Sequence, residues 1–379
     1  MTPKKQTQPG VTFRAERDTL VDAARAAARA VSGRGGSLPV LTGLRIAVDT
    51  TGQVTLCGSD LDLTIIARTN AAVTTPGVFV VSANLFTDVV RSVEPGSIDV
   101  TVTDDEVAVT AGRFRTDLRL LPSDEYPRLG EIATAPVTVD AAGLLAAAAQ
   151  VTPAASADDN RPILTGILFE PTPDGLRLVA TDSYRLALRT LTGLGNLVAE
   201  DRKLLVPART MREVNRLLPI DGDVQVTIGE RDVAFANDRL EVRSRTIEGD
   251  FPNYRGLLPD LATMPSRFTV DRAAFVEAVT RVKLMAREST PVRCAFADGG
   301  ELTLRAITQD IGQANESLSG DLYGAPVDVA FNPDYLLDGL SLVGTDQVQL
   351  GLVDQQKPAL IAGVDDTTDF RMLLMPVRV

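Results

Sequence analysis

The stretch Leu204–Leu218, LLVPARTMREVNRLL, decides how this chain is read. It predicts a short strand, Leu204–Val206, ended by Pro207, and then a helix from about Arg209. Met211, Val214, Leu217 and Leu218 recur at spacings of three and four, which places them on one buried helical face. Arg209, Arg212 and Arg216 follow the same spacing on the other side, so three guanidinium groups share one exposed stripe. The unit occurs twice more, as FVVSANLFTDVVRSV at Phe79–Val93 and VAFNPDYLLDGLSLV at Val329–Val343. Aligned on Phe79, Leu205 and Val329, the copies are about 126 and about 124 residues apart, and a repeat at one period predicts three similar domains.

Composition narrows the function. The chain has 379 residues, 44% of them hydrophobic, enough for several cores. No apolar run approaches the about 18 residues of a membrane span. The N-terminal MTPKKQTQPG lacks the apolar segment of a secretory signal and is expected to be a disordered tail over residues 1–10. Two cysteines, Cys57 and Cys294, occur without a CxxC spacing, which predicts buried thiols in a reducing cytoplasm. There is no histidine, which removes His-based triads, Cys–His dyads and HExxH zinc sites. Phosphate-cradling glycine motifs are absent, and no carboxylate pair stands out. Counting alone leaves an enzyme that uses only carboxylates open, because Asp and Glu are abundant, and no residue pattern here calls for a cofactor. A net charge of −12 opposes simple wrapping by nucleic acid, so the position of the cations matters more than their number.

Taken in order, the chain begins with an extended piece near Phe13 and a helix whose apolar side is Leu20, Val21, Ala24, Ala27, Ala28 and Val31, with Arg25 and Arg29 on the polar side. Alternating strands follow, then the unit at Phe79–Val93, then strands again. The second copy starts near Pro136 and runs through Asp140 into a helix Ala141–Val151. The third starts near Arg267 and runs through Asp271 into a helix Arg272–Met285. Glu16, Asp140 and Asp271 stand just before helices and are expected to cap them. Each copy thus holds two strand–helix–strands halves, an α+β layer of antiparallel sheet with helices on one face. Proline-bearing linkers near Leu129–Pro136 and Leu258–Pro265 bound domains 11–132, 136–262 and 266–379.

Six motifs in this order resemble the bacterial DNA polymerase III beta subunit, the sliding-clamp family. They are LPVLTGL at Leu38–Leu44, ILTGILFE at Ile163–Glu170, ATDSYRLAL at Ala180–Leu188, FPNYRGLLP at Phe251–Pro259, FNPDYLLDGL at Phe331–Leu340 and LLMPVRV at Leu373–Val379. The resemblance covers about Val11 to Val379. It implies a head-to-tail homodimeric ring with helices inside and sheets outside, no chemistry and no metal. It also implies a tether between duplex DNA and the replicative polymerase, with partners docking through short peptides: the polymerase alpha subunit, the clamp loader and other proteins carrying the clamp-binding motif. A clamp-fold scaffold that does not encircle DNA is the alternative, and a carboxylate-dependent hydrolase a remoter one.

Geometry tests encirclement independently. Helices about 10 Å wide and about 9–10 Å apart, six to a circle, leave a hole of about 8 Å, whereas twelve leave about 27 Å. A duplex is on the order of 20 Å across. One chain cannot enclose it and two can. A positive lining inside an acidic ring then holds DNA without reading its sequence.

The candidates for that lining are Arg25, Arg29, Arg34, Arg209, Arg212 and Arg216, with Arg161 added by the resemblance, while Asp334 and Asp338 make the third copy's helix acidic. The resemblance places the peptide cleft on Leu164, Thr181, Ser183, Tyr184, Arg185 and Leu186, on Pro252, Gly256 and Leu257, on Asn332 and Tyr335, and on Leu374, Met375, Pro376, Val377 and Arg378. Leucine or phenylalanine anchors would fill such a trough, and Met375 would adapt to several of them. Two positions depart from the family: Ser183-Tyr184 replaces a frequent Gly-His, and Gly256 replaces a basic residue. Leu85 and Val89 are candidates for the dimer interface.

Overall fold

The computed structural model describes residues 10–31, 38–127, 130, 132–199, 202–286, 290–309 and 311–378. The expected tail and Arg34 lie outside or almost wholly outside these residues. Among the described residues there are six α-helices: α1 (Arg17–Ala28), α2 (Ala83–Ser92), α3 (Ala141–Val151), α4 (Ala208–Leu217), α5 (Arg272–Lys283) and α6 (Pro333–Leu342). Each follows a short strand, and each is followed by at least three strands. The strand–helix–strands half expected from the repeat is therefore present six times.

The pairing explains why halves come in twos. Every strand that enters a helix pairs with the first strand of the sister half. Thr12–Glu16 lies against Ser97–Val102, and Gly77–Ser82 against Gly43–Val48. The same exchange joins Val137–Asp140 to Asp223–Ile228 and Leu204–Pro207 to Gly166–Thr172. It recurs for Ser266–Asp271 with Gln347–Leu352 and for Val327–Phe331 with Val292–Ala297. Neither half can complete its sheet alone.

A second rule joins successive copies. The third strand of one copy's first half, Leu63–Asn70, pairs with the third strand of the next copy's second half, Leu240–Arg245. Arg185–Thr192 pairs with Arg371–Leu374 in the same way. Sheets therefore run across the copies, and the chain divides into two compact units that cut through the second copy. One comprises Met1–Ala141 with Glu213–Thr246, the other Ala142–Arg212 with Ile247–Val379. A thirteen-stranded sheet belongs to the first, nine-stranded and four-stranded sheets to the second.

Helix periodicity sets the cores. On α1 the buried face is Leu20, Val21, Ala23, Ala24, Ala26 and Ala27, with Ala28 and Val31 half-buried. The run of alanines lets this helix lie close on its sheet, and at Gly58 a Cβ would stand 2.0 Å from the Ala27 carbonyl oxygen. Phe13, Leu44, Ile46, Phe79 and Phe86 complete that core. Each side chain buried in this way stabilises the fold by about 1.5–3 kcal/mol. On α4, Met211, Val214 and the following Leu218 are buried and Leu217 half-buried, while Arg209, Arg212 and Arg216 are exposed. Cys57 and Cys294 are free and buried.

Capping differs from expectation at one helix. Asp271 accepts a hydrogen bond from the Ala274 amide at 2.8 Å, and Asn332 accepts from Asp334 and Tyr335. Glu16 makes no side-chain cap; its longer arm reaches the Ser97 hydroxyl instead, at 3.1 Å. Asp271→Ala should accordingly cost about 1 kcal/mol, read as a lower Tm at unchanged oligomeric mass.

Candidate peptide cleft and nucleic-acid face

The cleft residues come together around one tight turn between the strands Gly175–Thr181 and Arg185–Thr192. Buried Asp182 organises it, its Oδ1 accepting from the amides of Tyr184 (2.8 Å) and Arg185 (2.9 Å). Thr181 donates to the Arg185 carbonyl at 2.7 Å and accepts from the Ser183 amide. Ser183 takes a left-handed backbone (φ +81°), a conformation glycine adopts at no cost. The turn pushes Tyr184 outward, 60% exposed, and returns Arg185 to the interior.

Arg185 turns inward from the same stretch. Its side chain is only 10% exposed. It donates to Asp182 (3.1 Å), to Asp338 and to the Pro153 carbonyl, and its guanidinium stacks on the Tyr335 ring at 4.1 Å. Three of its five N–H groups and one face of its guanidinium are engaged, so it braces α6 against the turn. Burial is also the main reason the Tyr335 hydroxyl titrates above its ordinary value. Leu186 and Leu374 are likewise core residues.

The C-terminal segment continues the sheet. Leu374 pairs with Arg185, the Met375 amide donates to the Tyr184 carbonyl at 2.9 Å, and the Val377 amide to the Ala330 carbonyl at 2.8 Å. Met375 is exposed, Pro376 and Val377 are half-buried, and Arg378 is exposed. The opposite wall is the stretch around Tyr254, with Pro252, Gly256 and Leu257 exposed. A Cβ at Gly256 would meet nothing within 4 Å, so the basic residue frequent in the family would fit there. Beneath lies an apolar cluster of Leu168, Val179, Leu186, Leu205, Tyr254 and Leu373, on which Ile163, Ile247, Phe251 and Leu258 pack half-buried. Leu164 is half-buried as well. Ile163 and Ile247 were missed from the sequence; the signal was an apolar residue inside an otherwise polar connection.

The same turn exists at the other joint. Asp60 accepts from the amides of Asp62 and Leu63, Leu61 repeats φ +81°, and the Arg245 amide donates to the Asp62 carbonyl at 3.0 Å. There, however, Val40 (1% exposed) and Leu41 (6%) stand where Ile163 and Leu164 are half-open. Tyr126 closes the joint, donating to the Cys57 carbonyl at 3.2 Å. Duplication supplies two joints, and only the second keeps its apolar floor partly uncovered.

The arginine candidates divide. Arg25 and Arg216 line one groove of about 920 Å³ with Arg68, Arg239, Asp22 and Asp238. Arg29 faces the same groove but is bound by Glu213, whose Oε1 is 2.9 Å from its Nη2, so its charge is largely spent. Arg161 pairs with Asp158 (3.1 Å) and donates to the Ser183 hydroxyl (3.2 Å), at the rim of the cleft. On the third copy, Asp334 pairs with Lys283 and Asp338 with Arg185. Among the described residues no group of three His, Cys, Asp or Glu is placed to hold a metal, and no helix is long and apolar enough to cross a membrane.

Comparison with known proteins is consistent along the whole chain. Residues 11–130, 138–253 and 257–378 match the family models of the DNA polymerase III beta subunit N-terminal, central and C-terminal domains. The beta sliding clamp of Streptomyces coelicolor is 34% identical over 97% of this chain and 99% of its own length. That of Micrococcus luteus is 37% identical over 81% of this chain and 98% of its own. The crystal structure of the DNA polymerase sliding clamp from Bacillus subtilis superposes with a TM-score of 0.90 at 26% identity, covering 98% of this chain and 100% of that one. A Pseudomonas aeruginosa clamp bound to griselimycin gives 0.89 at 28% identity, with the same coverage.

Proposed function

The chain belongs to the DNA polymerase III beta subunit family, and from that premise we propose how its own residues close the ring, face the DNA and receive partners. Its function is that of a sliding clamp: a non-catalytic homodimer that encircles duplex DNA and makes the replicative polymerase processive. The polymerase and the clamp loader are its partners, and its place of work is the cytoplasm. Three clamp domains, 11–132, 136–262 and 266–379, supply half of a ring.

The strand rule carries the closure. Two joints within the chain pair the third strand of one copy's first half with the third strand of the next copy's second half. Applied once more, the rule leaves Gly312–Ser319 and Phe114–Leu121 as partners. Among the described residues, Gly312–Ser319 pairs only with Glu301–Thr308. Phe114–Leu121 uses only Leu120 and Leu121 on the edge away from Glu106–Ala111. Open edges of this kind invite pairing with another chain. Head-to-tail pairing of two copies uses both, and the bordering apolar side chains cover the seam: Phe114, Leu85 and Val89 from one copy, Leu284, Ile307 and Ile311 from the other. The end of α5 adjoins the hairpin, since Thr308 donates to the Met285 carbonyl at 2.6 Å.

DNA then meets Arg25, Arg34, Arg209, Arg212 and Arg216. The test is retention on closed circular DNA after loading and loss once the circle is cut. Reversing Arg209, Arg212 and Arg216 together to glutamate should leave a dimer that no longer stimulates the polymerase on DNA. Full stimulation by that variant would return the chain to the scaffold reading. Peptides bearing the clamp-binding motif are received by Leu164, Thr181, Tyr184, Leu257, Met375, Pro376 and Val377 over the floor of Ile163 and Ile247.

A further inference from the structure

We propose that Glu170 is a positioning residue for partner binding, holding the wall Pro252–Leu257 at the distance a docked peptide requires; this rests on the cleft reading above. Glu170 sits in the strand Gly166–Thr172 with its side chain only 4% exposed. A carboxylate so buried is costly unless its oxygens are paired. Its partners are the Tyr254 hydroxyl, Arg255 at 3.1 Å and Lys203 at 3.7 Å. Burial alone would raise its titration, but the hydrogen bonds from Tyr254 and Arg255, with the charges of Arg255 and Lys203, outweigh that and hold it below the ordinary value. It is thus an anion at neutral pH.

Two of those three partners lie on the wall, which otherwise rests on the apolar packing of Phe251, Tyr254 and Leu258. Residues 246–265 form no strand or α-helix, only 3-10 turns at Arg255–Leu257 and Leu261–Thr263. The Leu257 amide donates to the Tyr254 carbonyl at 2.9 Å, a bond internal to the wall. The wall is anchored through the buried Tyr254 ring, edge-on to Phe251, and through its hydroxyl on Glu170. Pro252, Gly256 and Leu257 flank that anchor by one to three residues.

The other joint supplies the control within the molecule. There the matching tyrosine, Tyr126, donates to a neutral carbonyl, and Ala47 stands at the position matching Glu170 when Gly43 is aligned with Gly166. The carboxylate occurs at the joint that opens and is missing at the one that is closed.

The experiment uses the full-length dimer, a peptide carrying the polymerase's clamp-binding motif, calorimetry and hydrogen exchange. Glu170→Gln keeps an acceptor for Tyr254 but removes the charge that holds Arg255, and Tyr254→Phe removes the hydroxyl alone. Each should weaken the peptide about tenfold, the worth of one charge-assisted hydrogen bond, and speed exchange over residues 251–258. Arg255→Ala, at an exposed side chain that cannot unfold the domain, should weaken it by a smaller factor in the same direction. Unchanged affinity in all three, with wild type binding normally, overturns the role of Glu170. Failure of wild type to bind the peptide overturns the cleft reading itself.

Discussion

Leu284→Asp is expected to convert the dimer to monomers at micromolar concentration and to abolish retention on circular DNA. At 75% exposure, Leu284 is the most exposed large apolar side chain among the described residues. A single exposed leucine is ordinary. This one stands where α5 meets the hairpin carrying Ile307 and Ile311, beside the unpaired edge of Gly312–Ser319. Covering a leucine is worth about 1.5–3 kcal/mol. Placing an aspartate in the same seat forfeits that and adds the desolvation of a charge, so a total of about 4 kcal/mol is a conservative sum, about a thousandfold in Kd. Sedimentation should then report 40.4 kDa instead of twice that mass. The fold should not suffer, because the side chain leaves no cavity, and peptide affinity should be unchanged. Phe114→Asp, on the strand proposed to pair with Gly312–Ser319 of the other copy, should do the same. A dimer that survives both substitutions is not closed through these strands.

What the sequence made legible was whatever is periodic. The helix faces were readable because core side chains recur every three or four residues, and the three copies because one pattern returns at one spacing. Pairings that depend on distant residues were not. Arg29 looked free on its helix, yet Glu213, 184 residues later, takes it. The motif marks Arg185 as a cleft residue but not its partners: a turn organised by Asp182 folds its side chain inward onto Asp338 and Tyr335. Arg161 reads as a cation of the DNA face from the resemblance, and its bonds to Asp158 and Ser183 are invisible to spacing. Glu16 has the charge of a cap and the wrong length. Phe114, Leu284 and Ile311, placed in the proposed seam, gave no pattern, since each is an exposed apolar residue with no repeat to mark it. The edge left by the strand rule reveals them, and that rule exists only in three dimensions.

Deleting Met375–Val379 is expected to remove peptide binding, a loss of at least about a hundredfold, while the dimer persists. The last core residue of the segment is Leu374, fully buried and paired with Arg185 and Ala359, and it is retained. What goes is the Met375 amide bond to Tyr184, the Val377 amide bond to Ala330 and the exposed Met375 side chain. Two backbone bonds at about 1 kcal/mol each leave the fold weakened but standing. For the peptide the effect is larger, because the truncated edge loses an apolar wall and the bonds that fix the carbonyl of Tyr184 beside it. Interface energy concentrates in a few anchors of this kind, so a wall lost from one side costs about 2–4 kcal/mol. Met375→Ala separates the two contributions: it keeps both backbone bonds and should weaken the peptide about tenfold with Tm unchanged. The proposed dimer seam uses other strands, so sedimentation should show twice 40.4 kDa for both variants. If the deletion binds peptide as wild type does, the C-terminal segment only finishes a sheet. Partners would then dock elsewhere on the ring.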